Sequence, residues 1–282
     1  MKISIYTPTK NRKEALAKAI DSVLNQTYQN VEMIVVNDGS TDGTAEYLEG
    51  RAKLDSRLKF FNKTDSEGAP VARNLAITNA TGEFVTGLDD DDEFTPERIQ
   101  AFVEYWDLLT RIGVKPSCIY AQDIFVRNGE VCFTTQKKGM VNADDLFEFN
   151  HIGNQVFAPK SRYIEAGLFN ENLPAWQDME MFMRIVKMYG TAHLLDCGTQ
   201  LYDDSPKPDR ISIKAESKVR DAFRQFSALH AANKPRSAQS LMLQMFSKHY
   251  GVRPGITDFI NFIKLGFWSK GLLKMVRALF RV

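Results

Sequence analysis

The run Val31-Glu32-Met33-Ile34-Val35-Val36 constrains the fold more than any other stretch. It is apolar throughout except for Glu32, where a strand with one wet face would alternate, so it reads as a strand buried on both faces of a parallel sheet. Parallel strands need crossover connections, and helical periodicity stands on either side. Before it, Lys2 to Thr7 reads as a strand. Asn11 and Glu14 resemble a capping box, and Leu16, Ile20, Val23 and Leu24 mark one face of the helix that follows. After it, the turn Gly39-Ser40-Thr41-Asp42-Gly43 leads to a short helix near Thr44 to Leu48. A strand over Leu58 to Phe61, a helix over Pro70 to Asn79 and a strand over Glu83 to Leu88 come next. Thr95, Pro96 and Glu97 offer an N-cap, a Pro at the first helical position and an early acid for a helix striped by Ile99, Phe102, Val103, Trp106 and Leu109. The pattern predicts an α/β fold with an open, mostly parallel sheet and flanking helices.

In such sheets ligands bind outside the carboxyl ends of the strands. Thr7-Pro8-Thr9, Asn37-Asp38-Gly39 and Asp89-Asp90-Asp91-Asp92 all fall at strand ends and are expected to converge on one site. Four consecutive acids repel one another unless something cationic is bound. A hard divalent cation, Mg²⁺ or Mn²⁺, takes oxygen ligands and commonly arrives with substrate phosphates. The alternative is a solvated acidic loop that caps the next helix.

The second half is less regular. Ser117 to Ala121 and Ile124 to Phe133 read as strands, the latter folded into a hairpin at Asn128-Gly129. Gly153 to Ala158 reads as a strand and Asp178 to Tyr189 as a helix. Asp203 to Asp209 is a proline-interrupted loop, and from Lys214 onward the chain is helical with breaks near Pro235 and Pro254. The 282 residues carry a net charge of +1, so no global field points to nucleic acid. Cys118, Cys132 and Cys197 form neither a metal pattern nor a disulfide framework, which suits a reducing compartment. With no signal peptide at Met1 and no uncharged apolar stretch of membrane-spanning length, the expected location is cytoplasmic. The tail departs from this even balance. From Arg253 to Val282 there are six basic residues against the single acid Asp258, interleaved with aromatic and aliphatic side chains.

Five motifs in order resemble the family 2 glycosyltransferases. They are Ile5-Tyr6-Thr7-Pro8-Thr9-Lys10-Asn11-Arg12, Val35-Val36-Asn37-Asp38-Gly39-Ser40-Thr41-Asp42, Ala72-Arg73-Asn74, Leu88-Asp89-Asp90-Asp91-Asp92 and Trp176-Gln177-Asp178. The resemblance runs over residues 3 to 184 and fades after about Ser212. It implies an inverting enzyme of the GT-A fold, of the bacterial surface-polysaccharide type. Such an enzyme uses a UDP-sugar donor, Mn²⁺ or Mg²⁺, and a hydroxyl of a growing glycan as acceptor. The implied layout is a catalytic domain over residues 1–213, with a nucleotide-sugar half to about 115 and an acceptor half beyond it, then a helical extension over 214–282.

By that resemblance Thr7, Pro8 and Asn11 shape the nucleoside pocket, and Asp38 accepts the uracil imide hydrogen. Asp38 alternatively forms an Asx-turn or cap before the Thr44 helix, and both roles can hold together. Arg73 contacts phosphate or ribose or pairs with the acids, against the alternative of an exposed helix arginine. Asp91 is the main metal ligand; Asp89 contacts ribose or metal-bound water, and Asp90 lies beside them on the donor. Asp178 is the general base that deprotonates the acceptor hydroxyl, with an N-cap as its alternative role. Trp176 lines the acceptor pocket or belongs to the core, and Gln177 stands where relatives carry Glu. Arg184 is expected to hold a phosphate or an acid. Lys207 and Arg210, in a loop without the histidine many GT-A enzymes place there, are candidates for the diphosphate.

Two other readings compete. A nucleotidyltransferase would carry a glycine-rich phosphate loop after the first strand, and Thr9-Lys10-Asn11-Arg12 lacks the glycines. A noncatalytic nucleotide-sugar scaffold has no use for a base such as Asp178. The basic tail, Ile256 to Val282, reads as two amphipathic helices broken near Gly266 to Gly271. They suit an anionic membrane surface, which a lipid-linked acceptor would explain, or else protein packing or a homodimer.

Overall fold

The computed structural model describes residues 1–203 and 216–280. Strands β1 (Ile3–Thr9), β2 (Val31–Asp38), β3 (Leu58–Lys63) and β4 (Phe84–Gly87) alternate with helices α1 (Lys13–Leu24), α2 (Thr44–Leu54) and α3 (Ala69–Asn79). They form a parallel sheet in the order β3-β2-β1-β4. Next along the chain come β5 (Asp92–Phe94), α4 (Arg98–Arg111), β6 (Ile119–Arg127), β7 (Glu130–Thr134), β8 (Met140–Val141), α5 (Asp145–Glu148), β9 (Ala158–Pro159) and α6 (Lys160–Glu165). After them follow α7 (Gln177–Tyr189), β10 (Ala192–Asp203), α8 (Glu216–His230), α9 (Pro235–Met245), α10 (Ile256–Lys264) and α11 (Ser269–Leu279). Strand β9 adds antiparallel to the edge of β4, and a second sheet runs β5-β10-β6-β7 with β8 on β10.

The sheet is covered on both faces, as the apolar run of β2 requires. Ile3, Ile5, Met33 and Val35 join one hydrophobic cluster with Leu16, Ile20 and Val23 of α1. The alternate residues Tyr6, Ile34 and Val36 join the other with Ala72, Ala76 and Ile77 of α3. Every residue of β2 is buried, Glu32 included. Burial alone would push that carboxyl up. Bonds from Lys59 (2.7 Å), Ser4 (2.6 Å) and the Thr81 N–H (2.6 Å), with Lys2 at 3.0 Å, outweigh it and hold the group below the usual carboxylate range.

Several local expectations are corrected. The Asn11–Glu14 capping box does not form: α1 starts at Lys13 without a side-chain cap, and Asn11 sits at φ 53° with its Oδ1 accepting from the Thr41 N–H. Helix α4 begins at Arg98, three residues beyond Thr95, because Asp92–Phe94 is drawn into a strand against Gln200–Tyr202 of β10. The two strands read over Ser117 to Phe133 are one strand plus a return strand. The turn at Asn128-Gly129 stands as expected, with φ of 51° and 83°. Of the expected Gly153–Ala158 strand only Ala158 enters a strand, as the first residue of β9, apart from a bridge between Ile119 and Phe157. The twelve-residue β10, with register shifts around Gly198, has no clean alternation to reveal it.

The expected boundary near residue 213 lies outside the described residues. Val219, Phe226, Leu241, Met245, Phe262 and Met275 of the extension share one hydrophobic cluster with Tyr6, Trp176 and Phe182. The extension therefore completes the main core, and removing it would expose that core to water.

Candidate active site

The carboxyl ends of β1 and β4 meet in a network of carboxylates and guanidinium groups, and the turn after β2 joins the end of β1 through the Thr41 N–H to Asn11 bond. Arg73, in the second turn of α3, is 8% exposed, which rules out the exposed-arginine reading. Its Nη1 donates to Asp178 Oδ1 at 3.1 Å and its Nη2 to Asp89 Oδ1 at 3.0 Å, while the Phe169 ring lies 5.4 Å from the guanidinium carbon. Burial would weaken this cation, but the two carboxylates more than restore its charge. Its neighbour Asn74 clamps the Phe169–Glu171 loop, donating to the Phe169 carbonyl and Glu171 and accepting from the Phe169 N–H.

The acid run splits in two. Asp90 turns inward, accepting from Thr9 Oγ1 at 2.7 Å and Arg12 Nη1 at 3.1 Å. Burial raises its carboxyl to about 6, with Thr9 and Arg12 opposing. The donor contact expected of Asp90 is replaced by a tie to the end of β1. Asp92 is also buried, bonded by Gln200 at 2.7 Å and Asn154 at 3.4 Å. Burial, then repulsion from Asp89 and Asp91, raises it well above the ordinary range. Asp89 and Asp91 stay open, their side chains 26% and 25% exposed. Asp91 pairs with Arg12 at 2.9 Å; Asp89 also accepts from Asn154 at 3.0 Å and Gln155 at 3.3 Å.

Arg12 and Arg73 therefore supply the positive charge that the repulsion argument assigned to a metal. Among the described residues, no group of three or more metal-ligating side chains comes together. Two open carboxylates still fit Mg²⁺ or Mn²⁺, because such an ion draws most of its ligands from substrate phosphates and water. Asp91 and Asp89 are the residues that would hold it, with Arg12 competing for Asp91.

Asp38 is buried and fully engaged. Oδ1 accepts from Lys63 Nζ (2.8 Å) and the Glu67 N–H (3.0 Å); Oδ2 accepts from Ser66 Oγ (2.7 Å) and the Gly68 N–H (2.9 Å). It thus organises the 63–68 loop rather than capping α2, where Asp42 bonds the Thr44 N–H at 3.1 Å. A nucleobase that reaches Asp38 must share or replace one of these donors. Asn37 closes the same end of β2, accepting from the Ser40 N–H and donating to Asn62. Thr7 is buried with its hydroxyl unpartnered, and Pro8 is half-buried.

Burial pushes the Asp38 carboxyl up, but its four donors dominate and hold it at about 2. A folded-state value below the unfolded one gives stability that is present above about pH 4 and lost as pH falls through about 2. Asp38→Asn should therefore cost about 2 kcal/mol at pH 7. Urea denaturation at a series of pH values should show the gap to wild type closing between about pH 4 and pH 2. A gap independent of pH would mean that the carboxylate charge is not what holds the loop.

Asp178 is the second residue of α7, and the N-cap is Trp176 in the left-handed region at φ 61°. Asp178 does not cap the helix; it faces Arg73. Trp176 is buried against Phe226 of α8 and Tyr250, so it joins the core to the extension and does not line an open pocket. Gln177 Nε2 donates back to the Leu173 carbonyl at 2.8 Å, an internal tie. Arg184 holds an acid, Glu180, at 2.8 Å and also reaches the Ala166 and Leu168 carbonyls, which leaves it no phosphate role here. Lys207 and Arg210 lie outside the described residues.

Asn154, Gln155, Gln200, Lys63 and Ser66 enter the site without a sequence signal beyond their polarity. Gln155 crosses above Gly87, where a Cβ would stand 1.8 Å from its Oε1, to accept from the Tyr6 hydroxyl at 3.0 Å. Only a glycine at the end of β4 leaves room for that bond.

Residues 4–160 match the family model for glycosyl transferase family 2. The chain is 38% identical over 204 residues to the putative colanic acid biosynthesis glycosyl transferase WcaA of Escherichia coli, covering 71% of each chain. It is 43% identical over 93 residues to the GalNAc(5)-diNAcBac-PP-undecaprenol beta-1,3-glucosyltransferase of Campylobacter jejuni, covering 33% of this chain and 30% of that one. A solved structure of S. aureus TarS in complex with UDP-GlcNAc superposes with a TM-score of 0.71 at 19% identity, over 99% of this chain and 82% of that one. At that identity the likeness is one of fold.

Proposed function

The chain belongs to glycosyl transferase family 2 and has the GT-A fold, and from that premise we propose an inverting transfer of a sugar from a UDP-sugar to a hydroxyl of a growing surface glycan. Asp178 is the general base. The observation that carries this reading is the single guanidinium of Arg73 shared by Asp178 and Asp89. It holds the candidate base at a set place beside the acids that face the diphosphate.

The acceptor oxygen attacks the anomeric carbon from the face opposite the diphosphate. As the new glycosidic bond forms, the bond from the anomeric carbon to the diphosphate oxygen breaks and UDP leaves with that electron pair. The acceptor proton passes to the Asp178 carboxylate. Arg73 keeps that carboxylate oriented, and Asp38 with its 63–68 loop walls the nucleoside end. Bound at Asp91 and Asp89, Mn²⁺ or Mg²⁺ would neutralise charge on the departing diphosphate.

Hexosyl and N-acetylhexosaminyl donors both suit this arrangement; the TarS structure holds UDP-GlcNAc and the C. jejuni relative is a glucosyltransferase. The latter acts on an undecaprenol-linked glycan. A lipid-linked glycan of that kind is the acceptor class this reading favours.

The test is UDP release from UDP-glucose, UDP-galactose and their N-acetyl forms, with Mn²⁺ or Mg²⁺ present. One donor should release UDP, and NMR of the transferred product should show a β linkage from the α-linked donor. No release from any donor under either metal would overturn the reading, and an α product would remove inversion.

A further inference from the structure

The last two helices keep a large apolar face uncovered although their inner face is firmly packed. On α10, Ile256, Ile260 and Ile263 recur at helical spacing and are exposed, Ile256 at 82%. On α11, Leu273 and Val276 do the same, Phe280 just past its end is exposed beside them, and Phe267 between the helices is 76% exposed. Single exposed apolar residues are ordinary, but a contiguous row on neighbouring helices marks an interaction surface.

These helices are anchored. Phe262 is buried and stacks on Trp268 with ring centroids 6.0 Å apart, and its ring closes on Gly271, where a Cβ would stand 2.5 Å away. Gln239 of α9 donates to the Phe262 and Gly266 carbonyls, and Arg236 lies 4.3 Å over the Trp268 ring. The exposed row is thus presented by a fixed platform.

Charge selects the occupant. The one acid of the segment, Asp258, is buried and paired with Arg220 of α8 at 2.7 Å. Among the described residues of α10 and α11 the outward charges are Lys264, Lys270, Lys274 and Arg277, all positive. On α11 the basic residues, spaced i, i+4 and i+7, form a stripe beside the exposed apolar arc, whose other side continues into the core-facing residues Met275 and Ala278. An apolar face with a basic margin is the build of a helix lying in the plane of an anionic bilayer. Pairing with a second copy through this face would set four like charges against four.

We propose that α10 and α11 form a docking surface for an anionic lipid membrane, with the isoleucines, Phe267 and the outer face of α11 entering the headgroup boundary. This goes beyond the proposed transfer, and vesicle binding reads no catalysis, so either can fail without the other.

The experiment is sedimentation of the full chain with phosphatidylglycerol–phosphatidylcholine vesicles, against phosphatidylcholine alone. The chain should pellet with the anionic vesicles, with affinity falling by about tenfold or more between 0.1 and 0.5 M salt. Ile260→Ser with Ile263→Ser, and separately Lys270→Glu with Lys274→Glu, should each lower binding by about tenfold or more. Both pairs are exposed, and unchanged melting temperatures would confirm intact folding. Equal binding to neutral vesicles, or anionic binding indifferent to both pairs, would overturn the proposal. So would a lipid-free dimer in light scattering that Ile260→Ser with Ile263→Ser dissolves while vesicle binding is absent.

Discussion

Asp178→Asn should lower turnover by about 10²-fold or more while leaving the fold and UDP affinity in place. Asparagine keeps an oxygen that can accept from Arg73 Nη1, so the bridge to Asp89 survives and only basicity is lost. The measurements are initial-rate kinetics and calorimetric UDP binding on the same preparation. Near-normal turnover would remove Asp178 as the base. Glu180 could not inherit the role without rearrangement, since it is 1% exposed and paired with both Arg184 and His230.

Chelation should abolish transfer, and Mn²⁺ or Mg²⁺ should restore it. Full activity in EDTA would sink the assignment of Asp91 and Asp89 to a metal. Asp91→Ala should weaken UDP binding when metal is present and matter little without it. The position of Arg12 adds a sharper expectation. Its guanidinium pairs with Asp91 Oδ2 at 2.9 Å and competes with a cation for that carboxylate. Arg12→Ala should therefore tighten Mn²⁺ binding to the donor-free protein by about tenfold, the equivalent of one charge-assisted hydrogen bond. Electron paramagnetic resonance of unbound Mn²⁺ reads this without any turnover. Unchanged or weaker Mn²⁺ binding would place the ion away from Asp91.

The acid run shows how far a sequence argument reaches. Four adjacent carboxylates do need relief from repulsion, and that inference stood. Part of that relief comes from Arg12 and Arg73, which arrive from β1's end and from α3, while the open carboxylates of Asp89 and Asp91 keep a divalent cation as the other candidate. Two of the four acids escape the problem differently. Asp90 and Asp92 go inside, where burial raises them and hydrogen-bond donors meet them. Nothing in a row of identical residues says which will turn inward.

Trp176 and Gln177 show the same limit. Next to a candidate base, Trp176 reads equally as an acceptor-pocket or a core residue, and Gln177 as the substitute for a Glu beside that base. One is committed to Phe226 and Tyr250, the other to a carbonyl four residues back. The helix that packs on Trp176 belongs to the variable extension, so no motif in the catalytic part announces it.

What the sequence determined by itself was local and periodic. The apolar run of β2 required a sheet covered on both faces, the helical stripes placed α1 and α4, Asn128-Gly129 turned the hairpin, and the polar clusters landed at strand ends. Each follows from backbone geometry acting over a few residues. The tertiary structure alone decided which charges meet. Arg73 and Asp178 are 105 residues apart, Asn154 and Asp89 are 65 apart, and Asp92 becomes a strand residue only because β10 passes beside it. Such pairings depend on how whole elements pack, and desolvation then sets the strength of every charge they enclose.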